Sequence, residues 1–162
     1  MVQFQLNPDK KQMDSIKIRN FQHAYSNGAF PSYKELSSDE CASIRRQLAE
    51  TFGISTNTLP VDLVNKIQSM SRPLAEADAN DTHFDLAQTL QTKQIPSPKL
   101  VFVNWNRFDR IDQMRFQDLR LHFDSIWYPS SDDIDIFDET CEWVLSVAHY
   151  GSVSLAIQAV RK

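Results

Sequence analysis

Asp124, Asp132, Asp133, Asp135, Asp138, Glu139 and Glu142 fall between Arg120 and Arg161 with no Lys or Arg among them. Residues 121–160 therefore carry −7, while the rest of the chain, with 17 basic and 14 acidic residues, carries +3. Carboxylates at this density can ligate a metal, work as an acid–base pair, or meet a cationic partner. A calcium loop of the EF-hand kind needs a Gly at its sixth position, and counting from Asp132 that position is Phe137. A carboxylate nuclease wants a Lys beside the acids to stabilise developing charge, and the block has none. Two carboxylates working as a glycosidase pair stay open, because their separation in space is not written in the sequence.

The other chemistry-bearing residues are dispersed. His23, His83, His122 and His149 show no HxH, HxxxH or HExxH spacing. His149 is set apart by its position at an expected hairpin turn, where nearby carboxylates would favour its charged form. No G-x-S-x-G elbow is present, and three glycines, Gly28, Gly53 and Gly151, supply no phosphate-cradling loop. Cys41 and Cys141 have neither Cys nor His at ligand spacing and read as small buried hydrophobes. No metal or cofactor is expected, and no enzymatic motif emerges.

Positioning these residues requires elements, and the chain marks them with local signals. At 162 residues with 41% hydrophobic and 23% charged residues, a single domain with its own core is expected over 1–162. The alternation Val2, Phe4, Leu6 suggests a short strand or arm, and Met13, Ile16, Phe21 and Tyr25 approximate a helical stripe over 11–25. The segment AFPSYKEL reads as a loop pinned by Phe30 and Tyr33. Ser37 with Glu40 forms a capping-box signature, followed by Cys41, Ile44, Leu48 and Phe52 on one stripe and the stop at Gly53. Pro60 opens a third helix through Leu63, Ile67 and Met70, ended by Arg72-Pro73. LAEADAN is ambiguous between helix and loop, and Asp81 or Thr82 is expected to cap a further helix before Pro96 and Pro98.

Past Pro98 the composition turns to β-formers. KLVFVNW predicts a buried strand. The run 106–123, with alternating charges Arg107, Asp109, Arg110, Asp112, Arg115, Asp118 and Arg120, reads as a helix with a solvated face. Ile126-Trp127-Tyr128 reads as a short strand, and period two over 133–137 puts Asp133 and Asp135 on one face, taken as an outer acidic face. The runs 143–148 and 152–157 around Gly151 predict a hairpin. The expected architecture is α+β: a mainly helical layer over 1–95 on a C-terminal antiparallel sheet of four or five strands over 99–160.

The segment WYPSSDDIDIFDETCEWVLSVAHYGSVSLAI, residues 127–157, resembles the C-terminal portions of small cytosolic bacterial immunity proteins of polymorphic-toxin and contact-dependent growth inhibition systems. The likeness lies in a Trp-Tyr-Pro turn, an Asp-Asp strand and a Trp-led hairpin. It implies a protein that neutralises a partner toxin, such as a nuclease with a basic cleft, with Asp132, Asp133, Asp135, Asp138 and Glu139 standing in for phosphates. Trp127 and Tyr128 are either core or aromatic anchors at that interface, and His149 sits beside it. The alternatives are an adaptor or structural subunit of another assembly, and a carboxylate-based hydrolase. A net charge of −4 argues against nucleic acid as the direct partner, and the absence of a long apolar run against a membrane span, so a cytoplasmic location is expected.

Overall fold

The computed structural model describes residues 15–26 and 28–158. The Val2–Leu6 alternation lies outside them. In chain order the elements are α1 (Ser15–Ala24), β1 (Tyr33–Glu35), α2 (Ser38–Thr51), α3 (Pro60–Met70), β2 (Arg72–Asp78), α4 (Leu86–Thr92), β3 (Leu100–Asn106), β4 (Arg110–Arg115), α5 (Phe116–Leu121), α6 (Phe123–Ile126), β5 (Ile134–Phe137), β6 (Trp143–Val147) and β7 (Ser152–Ile157).

Where local chemistry was explicit, the elements follow it. The Glu40 amide donates to Ser37 Oγ and the Ser37 amide to Glu40 Oε1, both at 3.1 Å, closing the capping box that starts α2. Gly53 takes a left-handed φ of 68° after the helix ends. Pro60 occupies the first turn of α3, where its missing N–H costs nothing. The β6–β7 hairpin forms in register from Trp143↔Ile157 to Val147↔Val153.

The fold is α+β, but its sheet is larger than expected: seven strands in the order β1-β4-β3-β5-β6-β7-β2, every pair antiparallel. The helices are not confined to the first half, and that half supplies the two edge strands. β1 arises in the segment read as a loop, although Phe30 and Tyr33 do pack against the core. The ambiguous LAEADAN becomes most of β2, and α4 is capped by Asp85 instead of Asp81 or Thr82.

The largest departure is at 106–123, where the β3–β4 turn and β4 take the first half of an expected helix and only the second half is helical, as α5. The turn uses no glycine. Arg107 and Phe108 instead adopt φ of 50° and 54°, a conformation that costs a non-glycine residue about 1 kcal/mol or more. Three contacts hold it: Asn104 Oδ1 accepts from the Phe108 amide at 2.8 Å, Arg45 Nη1 donates to the Phe108 carbonyl at 2.8 Å, and the Phe108 ring is buried. Asp112, read as part of a solvated face, is consequently buried on β4 and accepts from Trp105 Nε1 at 3.0 Å. Residues 126–128, expected as a strand, close α6 instead, with Trp127 stacked on Phe123 four residues earlier.

Helices cover both faces of the sheet. On the first face Val103, Ile136, Leu145 and Leu155 pack under α4, α5 and α6. On the second, Ile111, Phe137, Val144 and Ala156 meet Ile44 and Leu48 of α2 and Leu63 and Ile67 of α3. Period two along β6 sends Trp143, Leu145 and Val147 to the first core and Val144 to the second.

Candidate functional site

Strand register divides the second face into two neighbouring rows. One is apolar, through the pairs Phe102↔Phe137 and Val144↔Ala156, and it belongs to the core under α2 and α3. The next row is polar across four strands: Asn104↔Asp135, Asp135↔Ser146 and Ser146↔Ser154. Beside α3 this polar row floors a cleft of about 530 Å³, walled by Val64, Gln68 and Ser71 and rimmed by Arg107, Asp133, His149 and Tyr150.

Asp135 is the centre of the floor. Ser146 Oγ donates to its Oδ1 at 2.6 Å and Asn104 Nδ2 to its Oδ2 at 2.9 Å. Burial pushes its carboxyl above the ordinary range; the bonds from Ser146 and Asn104 pull the other way, and the charge of Asp133 adds to the rise. Asn104 is itself buried and is fixed from behind by the β3–β4 turn, so the hairpin turn and the acid it supports are one construction. Asp133, two residues before Asp135, holds His149: the His149 amide donates to Asp133 Oδ1 at 2.7 Å and Nδ1 lies 2.9 Å from the same oxygen. Next to it Tyr150 is 68% exposed. Among the described residues neither carboxylate has a Lys or Arg salt bridge, although Arg107 lines the same cleft.

The eight residues singled out from the sequence separate into three groups. Asp133, Asp135 and His149 come together in the cleft. Asp138 and Glu139 lie beyond the opposite end of β5, roughly 13 Å along a four-residue strand. There Asp138 Oδ1 accepts from the Thr140 amide at 3.0 Å, and the Glu139 carbonyl accepts from Gln47 Nε2 at 2.7 Å. The expected continuous acidic rim is therefore broken in the middle. Asp135 is also not on an outer surface, because its face is the one that α2 and α3 pack against.

Trp127, Tyr128 and Asp132 form the third group, on the first face. Trp127 is 2% exposed and donates through Nε1 to the Asp132 carbonyl at 2.8 Å, so it presents no surface anchor. Asp132 is buried and paired with Lys17 of α1. Lys17 is also buried; its ammonium donates to the Ile126 carbonyl at 2.6 Å and sits 4.7 Å from the centre of the Trp105 ring and 4.4 Å from that of half-buried Tyr128. These residues do grip a cation, but it is the chain's own.

Asn104, Ser146, Ser154, Gln68 and Tyr150 were not anticipated. The spacing of Ser146, Ser152 and Ser154 within an otherwise apolar hairpin was a legible sign that one of its faces is polar. Asn104 carried no such sign, since its role depends on register with β5. The two thiols are inert: burial pushes Cys141 up to about 12, and Cys41 is raised by the same cause. Among the described residues no group of three or more His, Cys, Asp or Glu is arranged to hold a metal, and no helix is long and apolar enough to cross a membrane. The chain matches no protein-family model, no curated protein and no solved structure.

Proposed function

We propose that this chain is a protein-binding module of the immunity type, which neutralises a partner by receiving its basic surface at the cleft between α3 and the β6–β7 turn. The observation that carries the reading is the pair Asp133 and Asp135, held in one cleft without a salt bridge to Lys or Arg among the described residues. Asp135, half-buried and held by neutral donors alone, is a carboxylate that an arriving cation would stabilise, and exposed Asp133 beside it adds to the attraction. Tyr150, exposed at the rim, adds aromatic area of the kind that interfaces favour. The basic active-site cleft of a nuclease toxin would supply both the charge and the shape.

The test is capture of partners from the native host's proteins, followed by titration with the captured partner. Asp133→Asn with Asp135→Asn is expected to weaken association about 100-fold at low salt, and the loss should shrink as salt screens the field. Unchanged affinity at low salt would reject the cleft as the basic partner's site.

A second reading, a carboxylate-based hydrolase, draws on the cleft's chemistry. Asp135, whose carboxyl is raised, would act as the acid, and His149, held by Asp133, as the base. Turnover of chromogenic glycosides or esters that disappears in Asp135→Asn, with the fold intact, would favour it over pure binding.

A further inference from the structure

The Lys17 site is built like a receptor for an ammonium group. Trp105 and Tyr128 place their rings within 4.7 Å and 4.4 Å of the charge, the Ile126 carbonyl accepts from it, and Asp132 pairs with it. The two flanking groups are fixed in their turn. Trp105 Nε1 donates to Asp112, and Asp132 Oδ2 also accepts from the Tyr128 amide at 2.8 Å. Aromatic faces combined with a carboxylate are what selects a cationic amine over a neutral polar group.

The element that delivers the lysine is lightly held. Of the ten residues of α1 only Lys17 and Phe21 are buried, while Ile16, and Tyr25 just past the helix end, stay exposed. Asn20 adds one exposed hydrogen bond, to the Tyr128 hydroxyl at 3.0 Å. Among the described residues α1 buries one apolar side chain, Phe21, which meets the Phe30 and His122 rings, and a helix with so little buried apolar area is drawn from the part of a fold that opens more readily than the sheet.

We propose that α1 is an internal ligand: the cage of Trp105, Tyr128, Asp132 and the Ile126 carbonyl is a lysine-binding site, filled in cis by Lys17 and available to a lysine of the basic partner when α1 is released. The partner's identity as a basic protein rests on the reading given under Proposed function; the cage does not. Occupation in cis keeps a sticky aromatic and acidic pocket closed until a competing lysine arrives, so the partner engages a second point on the face of the sheet opposite to the cleft.

The experiment uses the full chain and needs no partner. Lys17→Ala leaves the cage empty of charge and opposite an unpaired Asp132. n-Propylammonium is expected to raise its Tm saturably, 1-propanol is expected not to, and the wild type, its cage full, should not respond. Lys17→Ala combined with Asp132→Asn should melt higher than Lys17→Ala alone and lose the rescue. Equal rescue by 1-propanol, or none by the amine, would overturn the cage. If Lys17→Ala does not fold, hydrogen exchange on the wild type decides: α1 amides are expected to exchange at least about 100-fold faster than those of β6. Exchange as slow as β6 would show a helix that is not displaceable and would overturn the proposal. A positive cage result with partner affinity indifferent to Asp133 and Asp135 would reject the cleft and keep the cage; the opposite pattern would do the reverse.

Discussion

On the first face of the sheet Asp132 pairs with Lys17, whose ammonium also lies against the Trp105 and Tyr128 rings and donates to the Ile126 carbonyl, and Asp132, Lys17 and Trp105 are buried. On the second face Asp135, three residues further along the same segment, meets Ser146 and Asn104, two neutral donors, at the floor of an open cleft. Asp132 is buried and Asp135 is half-buried. One has its counter-charge inside the molecule, and the other has hydrogen bonds without a cation among the described residues. The first arrangement leaves no charge unmatched while α1 is docked, whereas the second leaves the free protein with a charge that a ligand can stabilise. Proximity in sequence therefore says little about role here; the face of the sheet decides it.

The sharpest break of this comparison is to remove Asp132. Asp132→Ala leaves the buried Lys17 ammonium without its carboxylate and the Tyr128 amide without its acceptor, and it is expected to cost about 3–5 kcal/mol in denaturant unfolding. A loss below about 1 kcal/mol would mean that α1 simply lifts away and lets water reach the lysine, which would move Asp132 out of the structural class. The measurement should be accompanied by exchange on α1, because that helix carries the other half of the pair.

Neighbouring residues of β6 give the next contrast. Leu145 is fully buried on the first face, so Leu145→Ala should cost about 3 kcal/mol through lost burial and the cavity left behind. Ser146 points to the cleft, and Ser146→Ala removes one hydrogen bond to the Asp135 carboxylate, at about 1.5 kcal/mol. Equal losses at the two positions would contradict the assignment of a packed face and an open polar face.

How much of this was readable beforehand follows from which physical signals are local. The capping box of α2, Pro60, the β6–β7 hairpin and the strand 100–106 carry their instructions within a few residues, and they appear where expected. The hairpin at 106–110 was read as a helix because its turn lacks glycine, and the bonds that hold Arg107 and Phe108 in left-handed conformation include one from Arg45, far away in sequence. The pairing of Asp133 and Asp135 on one face was legible from period two. That this face is a cleft, floored by Asn104 and Ser154 and not an outer rim, depends on registers among four strands, and no local pattern states them. Likewise the fate of Asp132 rests on Lys17, 115 residues earlier, and nothing in the acidic block points to it.

The smallest expected effect has the opposite sign and tests the second face alone. Asp135 is an acid whose folded-state pKa lies above its unfolded value because burial outweighs its two hydrogen bonds. For a raised acid, the contribution to stability is fully present below the unfolded pKa and is lost as pH rises through the folded one. At neutral pH the ionised group therefore weighs against the native state. Asp135→Asn keeps the shape and removes that charge, so it is expected to raise stability at pH 7 by about 1 kcal/mol, as changes at functional positions often do. The gain should fade as pH is lowered and the wild-type carboxyl takes up its proton. Denaturant midpoints of the two proteins, compared at pH 7 and pH 4, measure both parts. A loss of stability at pH 7 would mean that the bonds from Ser146 and Asn104 already satisfy the carboxylate, and the cleft would then have no need of an incoming cation.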